Sequence, residues 1–352
     1  MKPWHDQRVA PGLIGLAALA LLSGFSVQKA VAQHQWDTWV FGYGGCIDVG
    51  SEEARPLPRS QIEVNEGSAS ISDPATGELI FYSNGSGVWN GEHYGLDSDW
   101  GPSRPDGILT GETYTTTQAA LILPRPGHAG HYYLFSLEPS SSLRGYSEYD
   151  PPLYMTTVDM TTWKKRESPL DSYGRGRVTL WGLVERDLTE KLTAVPHPDG
   201  CSYWVIAHRK HTNEFIAWRV GGDGIEERVV TPVGAQVNPA GYLKASPDGT
   251  MLAMGSSSLP TYWYRPATQL FRFDARGGVP FDPIEILGDH HTYGLSFSPD
   301  SRKLYVSIAV KVGDLLDTVV QYDVSVYDSA AISASRIVIP ESIDSLIRME
   351  LV

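Results

Sequence analysis

The stretch Tyr293–Ser307, "YGLSFSPDSRKLYVS", decides the fold, because a close copy stands earlier as Gly241–Ser256, "GYLKASPDGTMLAMGS". Each copy has alternating apolar residues, then Ser-Pro-Asp and a small residue, then a second alternating run. Aligned on the turn, Leu243 matches Leu295, Ala245 matches Phe297, Leu252 matches Leu304 and Met254 matches Val306. A period of two on both sides of a turn predicts a hairpin with one buried face. The turn residues divide the work. Pro247 and Pro299 preset φ, Asp248 and Asp300 bond their own backbone, and Gly249 accepts the left-handed position.

More copies appear once the turn varies. "TAVPHPDGCSYWVIAH" carries Pro198 and Asp199 and turns at Gly200; "ALILPRPGHAGHYYLFSL" turns near Gly127; "SASISDPATGELIFYSNG" turns at Gly77. The successive intervals from Gly77 to Gly127, Gly200, Gly249 and Ser301 are 50, 73, 49 and 52 residues. The long interval reads as an insertion between Leu137 and Arg186 with its own strand-like "LYMTTVDM". Other intervals hold a second strand pair, opened by "FIAWRV" (Phe215–Val220) and by "LFRFDARGG" (Leu270–Gly278). A period near fifty with four short strands is one propeller blade, and residues 33–352 hold about six such lengths. Two stacked sheets would not repeat in this way. The expected fold is all-β, a β-propeller of four-stranded blades.

The same register places the C-terminal run. "DSLIRMELV" reads as an inner strand, with Leu351 and Val352 where Phe297 and Ser298 precede the turn. The sequence thus stops one residue before the expected turn, so the last blade is expected to be incomplete. The early strand "TWVFGYG" (Thr38–Gly44) is then expected to lack its intended neighbour.

Residues 1–32 stand apart. Lys2, His5 and Arg8 precede an apolar run from Leu13 to Leu22, and Ala30-Val31-Ala32 offers small residues for cleavage. This is the pattern of a secretory signal peptide, too short to span a membrane comfortably. Residues 33–352 are the propeller. Removing the peptide takes Lys2, Arg8, Lys29 and Asp6 and moves the formal charge from −13 to −15. An acidic surface argues against nucleic acid and anionic membranes. The expected setting is the exterior, the outer cell surface or the periplasm, with no span left after cleavage.

Chemistry-bearing motifs are sparse. G-x-S-x-G, H-E-x-x-H, the P-loop and C-x-x-C are all missing. Cys46 and Cys201 are too few for a disulfide framework; a bridge between them is weighed against two unpaired thiols. His197, His208, His211, His290 and His291 form a candidate polar cluster if blade strands bring them to the channel, although their intervals match no familiar zinc spacing. Asp97, Asp99 and Asp106 lie in an oxygen-rich loop that a calcium ion could use, without the glycine and bidentate glutamate of an EF-hand. No other cofactor is expected. "ERDLTEKLTAV" brings Glu185, Asp187, Glu190 and Lys191 together and reads as a charged loop before a strand. Asn84 begins an "NGS" glycosylation sequon.

Several stretches together resemble one family: "NEGSASISDPATGELIFYSNGSGVWN" (Asn65–Asn90), "TQAALILPRPG" (Thr117–Gly127), "EKLTAVPHPDGCSYWVIAH" (Glu190–His208), "GYLKASPDG" (Gly241–Gly249) and "YGLSFSPDSRKLYVS". The chain from Trp39 to Val352 resembles the propeller-like N-terminal region of large secreted surface proteins of gliding-type bacteria. Those proteins often carry PKD-type modules and a sorting domain for type IX secretion, which this sequence lacks. The resemblance implies a propeller fold and a surface setting, and it brings no catalytic residues. The expected role is a non-catalytic module that binds a protein or glycan at the cell surface, or acts as a scaffold there. The rival is a hydrolase acting on glycans or peptides through residues in the channel; converging carboxylates or histidines would favour it, and small or apolar channel walls would favour binding.

Overall fold

The structure is a computed structural model, described for residues 34–51, 53–98, 115–140, 150–164, 174–257, 267–288, 291–309 and 317–339. Its sheets are the six blades of a β-propeller. Blade one is β1 (Thr38–Phe41), β2 (Gly45–Asp48) and β3 (Arg55–Pro56); blade two is β4 (Ala69–Ser72), β5 (Leu79–Ser83) and β6 (Val88–Asn90). Blade three joins β7 (Asp97–Ser98), β8 (Ala120–Pro124), β9 (His131–Leu137), β10 (Leu153–Lys164) and β11 (Gly174–Glu185). Blade four is β12 (Leu188–Pro196), β13 (Tyr203–Arg209), β14 (Glu214–Gly221) and β15 (Gly224–Pro232). Blade five is β16 (Leu243–Ala245), β17 (Met251–Met254), β18 (Ala267–Asp274) and β19 (Val279–Gly288). Blade six is β20 (His291–Phe297), β21 (Lys303–Ala309), β22 (Asp317–Asp323) and β23 (Ile337–Val338), with a short helix α1 (Ser329–Ala334) before its last strand.

The repeated hairpin is the first strand pair of blades two to six. All five turn positions are left-handed: Gly77 at φ 76°, Gly127 at 74°, Gly200 and Gly249 at 70°, and Ser301 at 59°. In four of them a turn aspartate accepts the backbone N–H two residues on, and in the first of these Asp73 bonds Ala75 at 2.8 Å. Asp199 bonds Cys201 at 2.8 Å, Asp248 bonds Thr250 at 3.0 Å, and Asp300 bonds Arg302 at 3.1 Å. The glycines are held by different constraints. A methyl group on Gly200 would meet nothing within 4 Å, whereas one on Gly249 would sit 2.9 Å from Val195 Cγ1 of blade four. Gly200→Ala should therefore cost only the left-handed backbone penalty, about 1 kcal/mol, and Gly249→Ala about 2 kcal/mol. Thermal melts of the two variants check this, and the opposite order would show that the inter-blade contact is unimportant.

Between blades the faces close on apolar clusters, one for each successive pair from the first to the sixth. Val40, Cys46 and Tyr82 join blades one and two; Phe81, Leu134 and Val158 join two and three. Phe135, Leu192 and Trp218 join three and four; Trp204, Phe215 and Phe271 join four and five; Leu270, Leu304 and Tyr322 join five and six. Flat aromatic rings fill the space between twisted sheets, as where Phe215 meets Phe271 edge-on at 4.9 Å.

Thr38–Phe41 pairs antiparallel with Gly45–Asp48, from Thr38↔Asp48 to Phe41↔Gly45, and stands at the edge of its sheet among the described residues. That hairpin turns at the left-handed Gly42 and Gly44 without Pro-Asp, so the repeat pattern missed it. The long interval in blade three is no added unit; "LYMTTVDM" lies in β10, and β10 and β11 are each 12 residues long. Among the described residues, blades four to six show four strands each, blades one and two show three, and blade three shows five, since β7 joins β11 in parallel. The signal-like segment 1–32 and the run Asp344–Val352 lie outside the described residues.

Candidate functional site

The first strands of the blades line a central channel, which holds a cavity of about 160 Å³. In blades two to six these strands run the same way, with their starts tied together at one end: Gly67 N–H donates to Thr116 O at 3.0 Å, and Tyr242 N–H to Tyr293 O at 3.0 Å. Strand β1 runs the other way. The Ser70 hydroxyl donates to Thr38 O at 2.6 Å and the Ser68 hydroxyl to Val40 O at 2.8 Å, so the two strands pass head to tail. Trp36 and Trp39 line the cavity together with Lys244.

Most of the wall is small or apolar, including Gly67, Ala69, Ala120 and Leu192. Five residues carry chemistry: Trp36, Trp39, Glu66, Tyr242 and Lys244. Trp36 is 52% exposed, and the Trp39 indole donates to its carbonyl at 3.0 Å. The Lys244 ammonium lies 5.3 Å from the centre of the Tyr242 ring. Burial pulls the Lys244 pKa down to about 8, and among the described residues no carboxylate forms an ion pair with it. Tyr242 meets Tyr293 edge-on at 5.7 Å. Burial, followed by the charge of Glu66, pushes the Tyr293 phenol above its ordinary range.

Beside this cavity lies a fully engaged polar belt. Glu190, 4% exposed, accepts from the Thr117 N–H and hydroxyl at 2.9 and 2.7 Å, and from the Ser140 N–H and hydroxyl at 2.9 and 2.6 Å. Lys191 is fully buried and donates to the carbonyls of Asn238, Pro239 and Ala240 at 3.0, 2.9 and 2.9 Å. Gln118 accepts from Leu192 and Leu243 N–H and donates to Leu243 O. These side chains join blades three, four and five, and their bonding capacity is spent on the protein itself. The reading of Glu190 and Lys191 as a charged loop before a strand is therefore corrected, since both lie within β12. An inner strand starts there, and its first residues face neighbouring blades.

The histidines are not brought together. His197 sits in the turn before β13, with Nδ1 2.9 Å from Asp199 Oδ2. His208 is near the far end of β13, fully buried and edge-on to Phe215 at 5.0 Å. Burial, and then the charge of Lys191, pulls its pKa down to about 3, so the ring stays neutral. His211 occupies the next turn at φ 61°, His291 starts β20, and His290 lies outside the described residues. Among the described residues no three His, Cys, Asp or Glu side chains are grouped to hold a metal. Of the calcium candidates, Asp97 pairs along β7 with Arg177, and Asp99 and Asp106 lie outside the described residues.

Cys46 and Cys201 are both free, the first buried in blade one and the second exposed in the turn of blade four. Blades one and four of a six-bladed ring face each other across the channel, which rules out the bridge. Asn84 is 5% exposed, donates to Glu63 O at 3.1 Å and accepts from Ser86 and Gly87 N–H. Its amide is part of the turn after β5, where a glycan has no room.

Sequence reasoning did not single out Trp36, Trp39, Glu66, Tyr242 or Lys244. One signal was legible: in the aligned copies Lys244 stands where the sister repeat has Ser296, a lone cation in an inner strand.

No protein-family model matches the chain, and no curated protein matches it. Among solved structures it is similar to a functionally unknown protein from Desulfotomaculum acetoxidans, at 11% identity over 86% of this chain and 88% of that one, TM-score 0.40. A candidate 6-phosphogluconolactonase from Bacteroides fragilis matches at 12% identity over 86% and 91% of the two chains, TM-score 0.36. An exo-beta-1,3-galactanase from Phanerochaete chrysosporium matches at 11% over 67% and 50%, TM-score 0.36. Likenesses this distant say nothing about chemistry in the channel.

Proposed function

We propose that the mature chain is an exported, non-catalytic propeller that binds a glycan of the cell surface in its central channel. The observation that carries this reading is the cavity wall, built of small and apolar side chains with two tryptophans and few charges. Aromatic faces pack on the apolar faces of sugar rings, and the polar groups beside them meet the hydroxyls. The cavity, about 160 Å³, has room for one sugar unit rather than a long chain. Export is supported by the N-terminal pattern, and the surface setting by the family resemblance.

A glycosidase of the common kind needs two carboxyl groups facing each other across the scissile bond, roughly 5–10 Å apart. Among the described residues this cavity presents one, Glu66. Binding is the better reading.

Titrating the protein with a panel of neutral and acidic monosaccharides while following tryptophan fluorescence tests it. At least one sugar should give a saturable change, and Trp36→Ala should weaken that sugar about tenfold, or ~1.4 kcal/mol. A panel without any saturable response, or unchanged binding in Trp36→Ala, rejects the channel as a sugar site.

A further inference from the structure

We propose that the channel site recognises an acidic sugar, a uronic acid unit whose carboxylate pairs with the Lys244 ammonium while its ring lies against Trp36 and Trp39. This rests on the sugar-binding reading above and goes further, by assigning the charge of the ligand. Three independent features point the same way.

Lys244 faces the cavity from β16, with a cation–π contact to Tyr242 and no ion pair to a carboxylate among the described residues. Nearby, Lys191 shows how this fold satisfies a buried lysine, with three backbone carbonyls around one ammonium. Lys244 has no comparable set of bonds, so its capacity to donate is directed at whatever enters. An ammonium partly drawn from water and held over the Tyr242 ring gains most from an anion.

The second feature is the placement of the opposing charge. Glu66 lines the same cavity and its charge acts on the Tyr293 phenol, whose ring meets that of Tyr242 edge-on. A ligand with an acid group at one end and hydroxyl donors at the other meets both charges favourably. Third, the hydroxyl of Thr193 on the cavity wall accepts from Ala245 N–H at 3.3 Å and keeps its own hydrogen for an incoming oxygen.

The test is calorimetric titration of the protein with D-glucuronate, D-glucose and acetate at low salt, for the wild type and Lys244→Gln. Glucuronate should bind at least tenfold more tightly than glucose, and in Lys244→Gln that preference should disappear, with the two sugars binding the variant to within about twofold of each other. A variant-free check is the pH profile. From pH 7 to 9 glucuronate affinity should fall as Lys244 loses its proton, because the ligand carboxylate stays ionised throughout. The other titratable groups beside the cavity are Glu66 before β4, Tyr242 on β16 and Tyr293 on β20, whose phenol burial pushes up. Glu190 on β12 is closed by its own hydrogen bonds. Lys191, also on β12, titrates within the window, so the pH dependence must vanish in Lys244→Gln to be assigned to Lys244.

Glucuronate and glucose binding equally well, or unaffected by Lys244→Gln, overturns the acidic assignment and leaves the sugar site standing. Acetate binding as tightly as glucuronate overturns the sugar part of the assignment. If neither sugar binds the wild type, the site itself is refuted, and this proposal falls with it.

Discussion

Glu190→Ala is expected to destabilise the protein by about 3–5 kcal/mol, the range for removing one partner from a buried, hydrogen-bonded charge. The carboxylate is 4% exposed and accepts four hydrogen bonds, two from Thr117 and two from Ser140. Thr117 and Ser140 flank the first hairpin of blade three, and Glu190 belongs to the first strand of blade four. One side chain thus locks two blades at the channel. Alanine leaves four buried donors without an acceptor and strips Lys191 of its neighbouring negative charge. At roughly 2–4 °C per kcal/mol for a chain of this size, the melting temperature should fall by about 10 °C. A fall of less than about 2 °C would mean that the blades are held without this network.

The second large effect is expected at Lys191. Lys191→Met keeps the volume and removes the ammonium that donates to the carbonyls of Asn238, Pro239 and Ala240, the last two keeping the N–H groups of Glu190 and Ser257, for a loss of about 2 kcal/mol. Burial, offset in part by Glu190, lowers the Lys191 pKa to about 7 from its ordinary 10.5. Between those values the unfolded chain holds a proton that the folded chain has begun to release, so stability rises with pH from about 7 upward. The slope is at most about 1.4 kcal/mol per pH unit. Below pH 7 both states are protonated and this contribution is level at its lowest. Denaturant melts at pH 6, 7.5 and 9 should show the rise in the wild type and a smaller rise in Lys191→Met, the remainder above about pH 8 coming from Lys244. A wild type that weakens between pH 7 and 9 contradicts the assignment.

How much of this was legible depends on the range of the forces involved. The hairpins at Gly77, Gly127, Gly200, Gly249 and Ser301 were legible because alternation and turn chemistry act within about fifteen residues. Ser301 shows the strength of that signal: it lacks the glycine of its sister repeats, yet takes φ 59° as the pattern demands. The first hairpin of blade one was missed for the same reason. Its turn at Gly42 and Gly44 uses other residues, so local matching passed over it.

What the sequence determined by itself is the repeating unit and hence the propeller, since every copy carries its own turn and its own buried face. What only the tertiary structure decided is which polar residues meet at the axis. Glu190 and Lys191 read as a charged loop before a strand because no local pattern reveals that Thr117, Ser140 and Pro239 will surround them. Trp39, Glu66 and Lys244 belong to separate blades, and the histidines that looked grouped in sequence were spread along the blades. Closing a ring brings together strand starts that lie far apart in the chain. Burial and pairing there are set by the partners each start meets, and no single repeat contains them.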